Sequence, residues 1–453
     1  MAHPSKMCRG PKIYLMEVKS ADTDEKNDCC CRRRGIHETC YRRDGDDFGG
    51  APMSLGEYSF SFPIWVEFGS GCSEDIGEIV ETQGWEKALI VTDQGIVDAG
   101  ILDGIVASLS AADIEYAIYD DVEPNPTTSM VEDATAMVES EACDFVLAVG
   151  GGSSLDTGKG ASLMATNPGE VADYEVTSAE EVMEEPIENH PLPLVTVPTT
   201  AGTGSEVDYW AVITDEDREF KMALGQSPLY PGGPYLGAEI SLVDPALTAS
   251  LPPRQTAATG FDAFSHALEN HVADGCPPIV KPMSSHVMGL VPEYLPSAYE
   301  NGGEDMAARE HMMFASHVAG ICENFAGFGA IHSLAEVTGG MYSEIPHGEA
   351  IAAYTPAVMR YNLEAVPGRY AEVAESMGLD VAGLSDREAA LEAVDAVEAL
   401  IDRVDLPSGL DELGVDEGDL PEIAEKSLDT IEIHDNPRAA DAADLLEVAR
   451  DAY

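Results

Sequence analysis

The chain has 453 residues, 44% of them hydrophobic, which is enough to build two domains around sizeable cores. Its 83 acidic and 24 basic side chains leave a formal net charge of -59. Such a field repels nucleic acid and anionic membrane surfaces, and no apolar run approaches the length of a membrane span.

Residues 1–50 stand apart, with ten basic and nine acidic side chains and five of the nine cysteines: Cys8, Cys29, Cys30, Cys31 and Cys40. No C-x-x-C pair marks them as a zinc or redox module, so residues 1–55 are expected to be a disordered extension or the product of a start placed upstream of Met53. The other cysteines are scattered, and no secretory signal precedes them, so a reducing cytoplasm is expected. The acidity points further, to a cytosol of very high salt, where screening relieves self-repulsion and dense carboxylates keep the surface hydrated.

Residues 56–245 alternate β-rich runs with helix-like stretches. The runs are 87–93 (KALIVTD), 116–122 (YAIYDDV), 145–150 (FVLAVG) and 194–198 (LVTVP), with amphipathic segments over 129–141 and 154–165 between them. That alternation predicts a Rossmann-like α/β domain with a parallel sheet covered by helices. A hairpin with a charged tip is expected over 209–224 and one more strand over 240–244. After Pro252-Pro253 the texture becomes alanine-rich and helical, over 255–274, 307–326, 371–377, 385–404 and 439–453. Residues 246–453 are therefore expected to form an all-α domain, and the cleft between the two domains is a favoured place for a ligand.

Three motifs carry chemistry. The first is 150–160 (GGGSSLDTGKG), which follows an apolar strand and opens a helix, where N–H donors and positive potential suit a phosphate. It is neither of the two common glycine fingerprints: Leu155 breaks G-x-G-x-x-G, and five residues between Gly152 and Gly158, with Gly160 after Lys159, break the P-loop pattern. The second is 198–206 (PTTAGTGSE), hydroxyls and glycines after another strand, suited to lining a crevice or simply to turning the chain. The third is Asp262 and His266, four apart on a helix and so on one face, followed by His332 and by His347 in P-H-G. One carboxylate with three imidazoles suits Fe²⁺ or Zn²⁺ and leaves room for a substrate.

In this order the motifs resemble the iron-containing (group III) alcohol dehydrogenases. The resemblance runs from about Val66 to the C-terminus and includes 68–71 (FGSG), Thr92-Asp93, 124–127 (PNPT), Asp244-Pro245 and 436–438 (NPR). It implies an N-terminal nucleotide-binding domain and a helical metal-binding domain. Asp262, His266, His332 and His347 would be the metal ligands. Gly150, Gly151, Gly152 and Ser153 would hold the pyrophosphate, and Asp156 and Lys159 would orient the cofactor. Thr199, Thr200 and Ser205 would line the nicotinamide side, and Asn125 would also face the cofactor. Asp93 would bind the adenosine ribose and repel a 2′-phosphate, so NAD is preferred over NADP. The substrate would be a small alcohol or aldehyde, and the assembly a homo-oligomer, a dimer or larger.

One departure bears on the chemistry. Where members often carry a histidine four residues after the position of His332, this chain has Glu336. Glu336 or His271 would then have to carry the proton, and a carboxylate beside a cation is the poorer carrier. Polyol dehydrogenase and hydroxyacid–oxoacid transhydrogenase activities share the fold. A dehydroquinate synthase would need a basic cluster that is absent here, and a non-catalytic nucleotide binder would not need four ligand positions.

Overall fold

The computed structural model describes residues 60–178 and 187–453; the extension expected over 1–55 lies outside the described residues. The first part runs β1 (Trp65–Phe68), α1 (Ile76–Gln83), β2 (Lys87–Val91), α2 (Gln94–Asp98), α3 (Leu102–Ala111), β3 (Glu115–Tyr119), α4 (Thr128–Glu141), β4 (Phe145–Gly150), α5 (Gly152–Met164), β5 (Leu194–Pro198), the hairpin β6 (Trp210–Asp215) and β7 (Phe220–Gly225), and β8 (Ile240–Val243). β1, β2, β3, β4, β5 and β8 make one parallel sheet in the order β1-β8-β5-β4-β2-β3. Side-chain alternation explains why its strands are apolar throughout. Ala88, Ile90, Leu147 and Val149 point to one core, while Leu89, Val91, Val146 and Ala148 point to another, so helices cover both faces.

Several of the short motifs prove to be caps. Asp93 caps α2 by accepting from Ile96 N at 3.0 Å, and Thr127 of P-N-P-T caps α4. Asp244 accepts from Gly71 N, Ser73 N and Ser73 Oγ, which ties the F-G-S-G turn after β1 to the end of β8. β1 was not foreseen; its four residues carry no alternating pattern and sit at the sheet edge with Trp65 exposed.

The second part is helical: α6 (Pro253–Val272), α7 (Val280–Asn301), α8 (Met306–Glu323), α9 (Ala330–Met341), α10 (His347–Leu363), α11 (Pro367–Ser376), α12 (Asp386–Arg403), α13 (Leu420–Lys426) and α14 (Ala442–Asp451). These helices share one apolar core, in which α6 is buried from Thr256 to Val272 apart from Thr259. α7 was hidden from a pattern reading by Pro292 and Pro296 inside it, and α10 by Pro356. Among the described residues no helix is long and apolar enough to cross a membrane.

Candidate cofactor crevice and metal centre

The strand order fixes where a nucleotide can lie. After β2 the chain moves outward to β3, then returns to the other side of β2 as β4 and continues to β5. The direction of winding reverses between β2 and β4, which opens a crevice at their C-terminal ends. Asp93 stands at the end of β2 and the glycine turn at the end of β4. The two meet, with Ser154 Oγ 3.4 Å from Asp93 Oδ2. Gly150 has φ +152, and a Cβ there would lie 2.5 Å from Ser154 Oγ, so a side chain would both strain the turn and collide with Ser154. α5 starts at Gly152, with its first N–H groups free of any side-chain cap. Thr199 N donates to Gly150 O at 2.8 Å, which sets Thr199 and Thr200 beside the turn.

Beneath this turn lies a network that the sequence did not announce. Lys159 is fully buried, and its ammonium contacts Asp156 Oδ1, Ser205 Oγ, Asp208 Oδ1 and Trp210 O. Ser205 Oγ also donates to Asp156 Oδ1 at 2.6 Å, and Asp156 Oδ2 accepts from Val212 N at 3.0 Å. Burial alone would lower the Lys159 pKa, but Asp208 and Asp156 overcome it and hold the ammonium charged. Asp156, Lys159 and Ser205 are thus brought together in one group, with their polar atoms engaged by the protein itself. Asn125 Nδ2 donates to Ser343 O at 2.7 Å, in the loop that leads to His347.

In the helical part, α6 presents Asp262 and His266, α9 presents His332, and His347 is the first residue of α10 after Pro346. Around Asp262 Oδ1 stand three imidazole nitrogens: His266 Nε2 at 3.4 Å, His347 Nε2 at 3.6 Å and His332 Nε2 at 3.8 Å. Asp262 Oδ1 and His332 Nε2 are buried with no hydrogen-bond partner. Lone pairs this close, buried and unspent are what a cation requires. Burial lowers the His332 pKa well below the usual imidazole value and the His347 pKa to about 3, so both imidazoles are neutral in neutral solution and free to offer a lone pair. Asp262, His266 and His332 lie close enough for one ion to reach all three, and His347 closes the set from the more open side.

Each of the two deeper histidines has a carboxylate behind it. His332 Nδ1 is 2.6 Å from Glu269 Oε2. His266 Nδ1 is 2.9 Å from Glu323 Oε1, within reach though not in line for a hydrogen bond. Phe328 stacks on His332 at 4.2 Å between ring centres. Glu269 was legible in principle, since it follows His266 by three residues on the same helical face. Lys221, from β7, was not. It forms a 2.9 Å ion pair with Glu336 Oε2, while Glu336 Oε1 lies 3.8 Å from His347 Nε2. Burial would raise the Glu336 pKa, but Lys221 and the nearby imidazoles pull it down to about 2.

The structure sets the two expected proton carriers in different surroundings. His271 does not join the cluster: its Nδ1 lies 2.9 Å from Ser284 Oγ and its Nε2 3.0 Å from Glu372 Oε2, so it braces α6 against α7 and α11. Glu336 does join it, paired with Lys221.

Comparison with known proteins was made against this geometry. The family described as iron-containing alcohol dehydrogenase matches residues 63–245, and the C-terminal Fe-containing alcohol dehydrogenase family matches residues 256–453. A choline dehydrogenase from Bacillus subtilis is 36% identical over 381 residues, covering 84% of this chain and 91% of that protein. An NAD-dependent methanol dehydrogenase from Bacillus methanolicus is 35% identical over 394 residues, covering 87% and 99%. The crystal structure of an archaeal halo-thermophilic alcohol dehydrogenase from a Red Sea brine pool superposes with a TM-score of 0.80 at 34% identity, covering 88% of this chain and 99% of that one.

Proposed function

The chain belongs to the iron-containing alcohol dehydrogenase family, and we propose on that premise that it moves a hydride between a small alcohol and NAD at a centre built by Asp262, His266, His332 and His347. The observation that carries this is the buried, unpartnered Asp262 Oδ1 facing three imidazole Nε2 atoms. A divalent ion, Fe²⁺ or Zn²⁺ since the same donors accept either, supplies Lewis acidity toward the alcohol or carbonyl oxygen when bound there.

The chain's own residues do the rest. Gly150, Gly151, Gly152 and Ser153, with the free N–H groups of α5, cradle the pyrophosphate. Asp93 takes the adenosine ribose hydroxyls, and its charge disfavours the 2′-phosphate of NADP. Thr199 and Thr200 line the nicotinamide side, while Asp156, Lys159 and Ser205 hold the floor of the crevice rigid from below. Asn125 tethers the loop before His347, so the crevice and the metal centre keep their spacing. Glu336, held ionised by Lys221, supplies a fixed negative charge beside His347 rather than a proton.

We also infer a homo-oligomer working in a cytosol of high salt. The charge of -59 and the likeness to the brine-pool enzyme support the salt, and exposed Trp65 and Phe68 on the edge strand β1 support association. The test is NADH formation at high potassium chloride with a panel of short primary alcohols, diols, glycerol and choline, using protein stripped of metal and then reloaded with Fe²⁺ or Zn²⁺. Turnover that needs both metal and salt is expected. Metal and NAD binding without turnover of any alcohol would overturn the dehydrogenase reading in favour of a transhydrogenase or a non-catalytic binder.

A further inference from the structure

We propose that Glu269 is the positioning residue of the metal centre: one buried carboxylate that both starts helix α9 and fixes which nitrogen of His332 faces the ion. The inference rests on the metal reading above.

α9 begins after Gly329, which has no side chain with which to cap it. Its first N–H groups are nevertheless all accounted for. Ala330 N donates to Asn436 Oδ1 at 3.1 Å, and Ser333 N to Gly329 O at 3.1 Å. Ile331 N donates to Glu269 Oε1 at 2.9 Å and His332 N to Glu269 Oε2 at 3.2 Å. The carboxyl group therefore comes from another helix, α6, and brings its acceptor oxygens to the N–H end of α9. The same Oε2 atom stands 2.6 Å from His332 Nδ1. A carboxylate that already receives two backbone N–H groups is an acceptor, so Nδ1 carries the proton. Nε2 is left with its lone pair, and it is this atom that lies unpartnered 3.8 Å from Asp262 Oδ1.

The helical register links these roles. Asp262, His266 and Glu269 lie at positions i, i+4 and i+7 of α6, on one face. That face supplies two ligands directly and sets the third through α9. Rotation of α9 about its axis, or a flip of the His332 ring, would break a bond to Glu269.

Glutamine cannot stand in for this group. Its amide offers one oxygen and one NH₂, and in either orientation the NH₂ would face an N–H donor: that of Ile331, or those of His332 N and Nδ1. The Glu269→Gln enzyme, stripped of metal and titrated with Zn²⁺ against a competing chelator, is expected to bind about 10- to 100-fold more weakly than the parent, the range typical of lost outer partners of a ligand, while Asn436→Ala stays within about threefold. Asn436→Ala removes the other cap of the same helix end without touching the His332 ring, so it isolates plain loss of helix support. NAD affinity should be unchanged in both. A Glu269→Gln enzyme that is folded and binds Zn²⁺ like the parent would overturn the inference, as would an equal loss in Asn436→Ala. A parent that itself binds no Zn²⁺ would overturn the metal reading as well, so the two failures are distinct. If Glu269→Gln does not fold, the parent labelled with ¹⁵N-histidine and loaded with Zn²⁺ decides. His332, assigned by its absence in His332→Gln, must carry its proton on Nδ1, and a bare Nδ1 overturns the proposal.

Discussion

The two halves of this active site treat polar atoms in opposite ways. Below the glycine turn, Lys159, Asp156, Ser205 and Asp208 satisfy one another, and what is left for a ligand is the backbone N–H groups at the start of α5. In the helical half, Asp262 Oδ1 and His332 Nε2 are buried with nothing to bond, and what is left for a ligand is lone pairs. The first arrangement is already at rest without its cofactor; the second stores an unpaid desolvation that a cation relieves. Substitutions in the first half should therefore act on stability, and those in the second on binding.

The largest effect should come from Lys159→Met. Removing the only cation from a buried group that holds Asp156 and Asp208 leaves uncompensated charge, at about 3–5 kcal/mol of folding stability. Denaturant unfolding at constant salt measures it, and a change near zero would erase the contrast between the halves. Asp262→Asn should behave in the opposite manner. Metal affinity should fall by more than the roughly 10- to 100-fold expected for an outer partner, while the metal-free protein holds or gains stability. The sign follows from its pKa, which burial raises to about 6, although His266 counteracts it. The folded metal-free site holds its proton more tightly than the unfolded chain. Its contribution to stability is therefore full below about pH 4 and lost as pH rises through about 6. Asp262→Asn should remove that dependence from the melting curve of the stripped protein.

Gly158→Ala sharpens the structural side. A Cβ there would meet the Ala148 Cβ at 2.6 Å, so α5 would be pushed off β4 at a cost of about 1–3 kcal/mol. NAD affinity should fall with it, because the turn moves. Glu336→Gln is the mildest change. Because Lys221 holds this carboxylate near pKa 2, it titrates far below the working range. Its loss should scale kcat/KM by about tenfold without altering the profile between about pH 5 and 9. Loss of one limb of that profile would restore Glu336 as a proton carrier.

Much of this was legible in the sequence, for reasons that can be named. β2, β4 and β5 are apolar on both faces, which marks buried parallel strands, and an i, i+4 Asp/His pair marks one helical face. Rejecting G-x-G-x-x-G at Leu155 was sound for the pattern, yet the close helix–strand approach was still present, moved to Gly158. His271 was excluded by its own spacing: nine residues after Asp262 is about two and a half helical turns, which sets it on the opposite face of α6 from Asp262. Lys221 was unreadable because its partner Glu336 lies 115 residues away, and only the packing of the hairpin on α9 brings them together. The full burial of Lys159 was equally hidden, since a lysine after a glycine turn reads as a phosphate ligand until its other neighbours are known.

The central claim is that one ion is held by one carboxylate and three imidazoles, and X-ray absorption at the zinc edge of the reloaded protein tests it most directly. The account predicts a single nitrogen and oxygen shell with the outer-shell scattering of three imidazole rings, reduced by one ring in His347→Ala. Sulfur in the first shell, or an all-oxygen shell without imidazole scattering, would contradict it.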